Sequence, residues 1–168
     1  MKVRFNHHLF QTNIRSISSG HLNKLIDIHG IVLKVYKVQS RITKGVFRCR
    51  HCGWETLQPQ LNQFITEPFG QCNECKRKAG WELNFNKTTY EVVQTLVIQE
   101  LLEEIPPGDM PRQYDVEVRG NLVGVVNPGQ FVNIIGVVNG RRGAKVDTSL
   151  SIELFIKANN AIVQNKEN

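Results

Sequence analysis

Apolar residues along this chain recur mainly at every second position, the spacing of half-buried β-strands. Isoleucine and valine dominate from Leu25 to Val38, with alternation in the second half of that stretch. Trp81-Glu-Leu83-Asn-Phe85 and Tyr114-Asp-Val116-Glu-Val118 alternate cleanly, and residues 91–100 and 131–138 form β-rich apolar runs. A basic, glycine-bearing interruption at 139–145 precedes a last predicted strand at 151–157. Pro106-Pro107-Gly108 and Pro128-Gly129 end the elements before them. Ser18 caps one predicted helical turn reaching Leu25, and residues 163–168 are expected to fray. Gly30, inside a strand, predicts a bulge or bend, and Lys34 and Lys37, three residues apart, are expected on opposite faces. Short strands, turn signals and no long helix predict an all-β protein, a small antiparallel barrel interrupted by one inserted lobe.

The lobe is marked by cysteine. Cys49-Arg-His51-Cys52 and Cys72-Asn-Glu-Cys75 are two Cys-x-x-Cys pairs bracketing 19 residues. Both thiolates of such a tight turn reach one ion, and two turns complete a tetrahedron, so the spacing predicts a structural zinc site. Four ligands leave no open coordination position for catalysis. Two disulfides or four buried thiols are the alternatives. His51, between the first pair, is expected to point to solvent, and the His7-His8 pair lacks partners at metal spacing. Gly53 suits a left-handed turn after the first pair.

Charge adds a second feature. The net charge of +6 is unevenly spread: +9 over residues 1–80, −6 over 91–117 and +3 over 118–168. This asymmetry predicts a basic surface for a polyanion beside an acidic stretch with another task. No apolar run approaches the ~20 residues of a membrane span, the N-terminus lacks a signal-peptide core, and paired cysteines fit a reducing compartment.

The ordered set Ile14-Arg15, Leu25, Gly30-Ile31-Val32, the cysteine pairs, Ile98-Gln99-Glu100, Pro107-Gly108, Pro111-Arg112, Leu122-Val123 and Pro128-Gly129 resembles the N-terminal region of minichromosome maintenance (MCM) helicases, in archaeal form. The likeness spans residues 3–163. It implies an OB-fold over residues 1–46 and 82–168, with a zinc ribbon inserted at 47–81 and a protruding basic β-hairpin at about 136–157. It further implies a cytoplasmic, chromosome-associated protein that binds single- and double-stranded DNA within a homohexameric ring. Cys49, Cys52, Cys72 and Cys75 match the family's zinc ligands. Lys34 matches a position associated with single-stranded DNA, and Arg141, Arg142 and Lys145 fall where the hairpin carries its DNA-facing tip. A second basic position of the family is occupied here by Val97. Gln99, Glu100 and residues 107–112 resemble the loop that communicates with the AAA+ motor.

No enzyme is expected in this chain. A Walker A loop needs Gly-Lys-Ser/Thr, and none of the thirteen glycines is followed by lysine. The motor and the helical subdomain that precedes this region in the family are both missing from the sequence, which reads as an excised piece or a motor-less relative. The function expected is a DNA-binding and ring-assembly module acting through phosphate contacts. The alternative is a zinc-dependent protein–protein assembly module in which DNA is incidental. Phe131 and Phe155 are expected to pack in the core.

Overall fold

A computed structural model describes residues 3–6, 11–61, 64–78, 80–142 and 152–164. The strands are β1 (Leu25–Val35), β2 (Gln39–Cys49), β3 (Glu55–Pro59), β4 (Trp81–Leu83), β5 (Thr89–Gln99), β6 (Gln113–Arg119), β7 (Phe131–Arg142) and β8 (Ile152–Gln164). Among the described residues there is no α-helix, only short 3-10 turns, one of which is the turn expected after Ser18. No helix is long and apolar enough to cross a membrane. The chain divides into two compact units, one of residues 1–39 and 93–168, the other of residues 40–92.

The first unit is the barrel. The first half of β1 pairs antiparallel with β7, from Leu25 opposite Val137 to Ile31 opposite Phe131. Its second half pairs with β5, Val32 facing Ile98 and Val35 facing Leu96. β5 continues to β6, β6 meets β8 in the one parallel step of the ring, and β8 returns to β7. These five strands close on themselves in the OB-fold arrangement. The even-numbered positions Ile26, Ile28 and Val32 of β1 point inward, joining Leu96, Ile98, Val116, Val118, Val132, Ile134, Val138 and Ile156 in the core. That is the alternation seen in the sequence, now closed around one axis.

Three details depart from expectation. The irregularity in β1 lies between Val32 and Lys34, not at Gly30. Gly30 serves close approach instead: a Cβ there would sit 2.4 Å from Ile98 Cγ2 and 2.6 Å from the Gln99 carbonyl. The strand predicted to break at Asn139 runs on through Arg142, paired as far as Ile152. Cross-strand contacts explain this, because Arg141 faces Glu153 in register and the two form an ion pair. β8 likewise extends to Gln164, so Val163 and Gln164 are paired where fraying was expected. Phe155 is buried, as expected.

The second unit is built on β2, which pairs with β3 and β4. A separate apolar cluster of Phe47, Cys49, Cys72 and Trp81, flanked by Trp54, Cys75 and Leu83, holds it together. Trp54 and Trp81 pack with ring centroids 6.4 Å apart.

Because Gly30 lies against Ile98 and the Gln99 backbone, Gly30→Ala forces β1 away from β5. We expect a loss of about 1–3 kcal/mol from overpacking, read as a lower urea midpoint. An unchanged midpoint would show that the crossing tolerates a methyl group.

Candidate metal centre and nucleic-acid interface

The four cysteines converge. Their sulfurs all lie within 4.8 Å of one another, and among the described residues no other His, Cys, Asp or Glu joins the group. His51 is exposed and outside it. Cys49 and Cys75 Sγ are 3.9 Å apart, and Cys52 and Cys72 Sγ are 3.5 Å apart. A tetrahedral ion with metal–sulfur bonds of about 2.3 Å spaces its sulfurs by about 3.8 Å, so the donor set fits such an ion. A disulfide would need sulfurs at about 2.05 Å.

The two turns share one design. Gly53 N–H donates to the Cys49 carbonyl at 2.9 Å, and Lys76 N–H donates to the Cys72 carbonyl at 3.0 Å. Both residues have positive φ, 75° for Gly53 and 57° for Lys76. Glycine was the legible half of that pair; the left-handed lysine was not. Arg48, Arg50, His51 and Glu82 border a cavity of about 310 Å³ beside the first turn, with the Arg48 guanidinium against Gly53. The Cys52 backbone N–H favours the Cys49 thiolate more than burial opposes it, lowering that thiol to about 7. For Cys52 the Trp54 N–H acts in the same sense. Burial and hydrogen bonding with Cys72, Cys49 and Cys75 prevail there, pushing the thiol up to about 11.

On the barrel, Lys34 is exposed although the inward parity of β1 would bury it. The extra residue, Leu33, reverses that parity. Lys34 then stands opposite Val97, so this position and the family's second basic position are cross-strand neighbours. Lys37 lies past the end of β1.

Arg141 is not a free tip residue. It sits within β7, hydrogen-bonded to Asp115 and paired with Glu153 at 3.4 Å, its guanidinium 5.3 Å from the Phe155 ring centre. Burial alone would lower its pKa, but the hydrogen bonds and charges of Asp115 and Glu153 hold it above the ordinary value. Arg142 ends β7, and Lys145 lies outside the described residues, as do His7 and His8.

The acidic stretch proves to be partly internal. Glu100 is 1% exposed and accepts two hydrogen bonds from Arg15, at 3.0 and 3.1 Å, and one from the Arg112 backbone. Arg15 also reaches Asp109 at 2.7 Å and the Met110 carbonyl, while Arg112 donates to the Arg15 carbonyl. The Glu100 hydrogen bond is the main reason the Arg15 pKa is raised. This network closes both ends of the segment 100–112 onto the 3-10 turn at Ile14–Ser16.

Residues 13–141 match the family described as MCM OB domain. The chain belongs to the MCM family. Among its relatives, the DNA replication licensing factor mcm-6 of Caenorhabditis briggsae is 31% identical over 129 residues, covering 76% of this chain and 16% of the relative. The licensing factor MCM2 of Arabidopsis thaliana is 29% identical, covering 84% of the chain and 15% of the relative. The licensing factor mcm3 of Schizosaccharomyces pombe is 30% identical, covering 94% and 18%. The MCM chain thus spans less than a fifth of the length of these relatives, with nearly equal identity to three paralogues.

Metal uptake at neutral pH must displace protons from this crowded set of thiols, so zinc affinity should rise between about pH 6 and pH 8. Chelator competition reads this, and a pH-independent affinity would contradict it. Cys72→Ser, which removes a fully buried donor, should abolish stoichiometric uptake. In the barrel, Arg15→Ala strands a buried carboxylate, whereas Glu100→Gln leaves Arg15 its Asp109 partner. The urea midpoint should therefore fall further for Arg15→Ala; equal midpoints in the two variants would show that the stranded Glu100 carboxylate carries no extra cost.

Proposed function

We propose that this chain is the DNA-binding and ring-assembly collar of an MCM replicative helicase, with zinc held by Cys49, Cys52, Cys72 and Cys75. Lys34, Arg142 and Lys145, and more weakly Arg141, contact the phosphates of single- and double-stranded DNA without reading sequence. Chains assemble as a hexameric ring, and ATP-driven unwinding belongs to an AAA+ motor outside this sequence. An archaeal-type, chromosome-associated setting is part of the same reading. The observation carrying it is the outward turn of Lys34 at a bulge on the first strand of an OB barrel. OB-folds bind nucleic acid on the face of their second and third strands and at the loops joining strands one to two and four to five. Here those loops hold the cysteine lobe and the β7–β8 hairpin.

One observation favours protein contacts by the second unit. Leu61 is 89% exposed, Phe64 80% and Phe69 fully exposed, apolar side chains that a solvated lobe does not need. Ring-to-ring or chain-to-chain assembly through the zinc lobe is therefore the second role, alongside DNA binding by the barrel.

DNA binding is tested by titrating single- and double-stranded DNA against the chain over a range of salt. Lys34→Ala should weaken single strands preferentially and lower the salt slope by about one unit. Val97→Lys places a second cation beside Lys34 and should strengthen single-strand binding in the same assay. Arg141→Ala should change the slope less than Lys145→Ala, because Asp115 and Glu153 already neutralise the guanidinium. Affinity and slope untouched by all four substitutions would leave only the assembly role.

A further inference from the structure

We propose that Tyr36 is a base-stacking residue, and that Tyr36 and Lys34 together seat one nucleotide of a single strand. The ring takes the base and the ammonium takes the phosphate. The proposal rests on the reading of the barrel as a DNA-binding module and adds to it a contact with the base itself.

The β1 bulge creates the pair. Once Leu33 has reversed the parity, Val35 turns in to pack against the core, and Lys34 and Tyr36 turn out on the same side. Tyr36 is 45% exposed, a large fraction for an aromatic at the edge of a barrel core. The Lys34 ammonium lies 4.3 Å from the centre of its ring. Among the described residues Lys34 has no carboxylate partner and the Tyr36 hydroxyl has no hydrogen bond. The other two tyrosines differ: Tyr90 donates to the Phe85 carbonyl and Tyr114 to the Ile17 carbonyl.

The ring also stands on a fixed support. Tyr36 N–H donates to the Thr95 carbonyl at 2.9 Å, and the Tyr36 carbonyl accepts from Gln94 Nε2 at 2.9 Å. Gln94 is buried, and its Oε1 accepts from Gly124 N–H at 3.1 Å, so both ends of its amide are committed. A buried side chain clamping the backbone of an exposed aromatic holds a platform in place before any ligand arrives. OB-folds that bind single strands combine such platforms with cations that follow the backbone. The lysine–ring contact that would be given up is weak at an exposed site. A stacked base and a phosphate for the ammonium replace it with stronger partners.

The test titrates the full chain against labelled oligothymidine, an abasic strand of equal length and a duplex, read by fluorescence anisotropy over several salt concentrations. Tyr36→Ala should weaken oligothymidine binding by about fivefold or more and leave the abasic strand and the duplex nearly unchanged. Its salt slope should equal that of the wild type, since no cation is removed. Tyr36→Phe should bind like the wild type, because stacking does not use the hydroxyl. Tyr36→Leu keeps apolar bulk without a π-face and should behave as Tyr36→Ala, which guards against an alanine variant that folds poorly. Wild-type affinity for oligothymidine in both Tyr36→Ala and Tyr36→Leu, or an equal loss on the abasic strand, would overturn the stacking role. Loss in Lys34→Ala with no loss in either Tyr36 variant would leave the phosphate-binding reading standing and remove this proposal alone. A wild-type chain that binds no single strand would overturn both.

Discussion

The barrel depends on a change of partner within one strand. β1 gives its first half to β7 and its second half to β5, and without that division the five strands form an open sheet. Exchange of neighbours brings the β5 backbone hard against β1, where a side chain has no room; hence Gly30. Immediately afterwards the register slips by one residue at Leu33, adding twist as the ring closes. The same slip exposes Lys34 and Tyr36. One closure constraint thus explains a glycine at the crossing, an irregular strand and a cation on the surface of β1.

The second unit is organised by a different force. Its apolar cluster is small, and two of its four buried members, Cys49 and Cys72, are also donors of the four-sulfur group. The side chains that pack this cluster are therefore also ones suited to hold a metal ion. A lobe of this size lacks the buried area to fold firmly alone, and an ion bound by four thiolates would link its two cysteine turns. The repeated turn, with a left-handed residue four positions after the first cysteine of each pair, aims both sulfurs of a pair at one point.

Charge works inward as much as outward here. Glu100, buried in the barrel unit, tethers Arg15, and the loop after β5 is fastened by the Arg15–Asp109 and Arg112–Arg15 contacts. Asp115 and Glu153 hold Arg141 along the hairpin. A buried pair of this kind fixes geometry more surely than it adds stability, because desolvation offsets much of the attraction. The uneven charge of the sequence is therefore partly the trace of internal ion pairs such as Arg15–Glu100 and Arg141–Asp115.

The sequence by itself did not mark β2, β3 or the full length of β8, but it determined the all-β class, the location of the five barrel strands and the four-cysteine group. Each of these is written in local spacing: a period of two, a turn dipeptide, a two-residue gap. It carried the family likeness as well, in the order of its motifs. Only the tertiary structure decided which side of β1 Lys34 occupies, because parity read from Ile26 and Ile28 would bury it and a closure bulge undoes that parity. It alone gave Arg141 its partners, since Asp115 lies 26 residues away and reaches Arg141 because β6 and β7 both pair with β8. It alone joined Arg15 to Glu100, 85 residues apart. Local periodicity fixes what kind of element a segment forms; which side chains meet is set by barrel closure, and no window along the chain contains it.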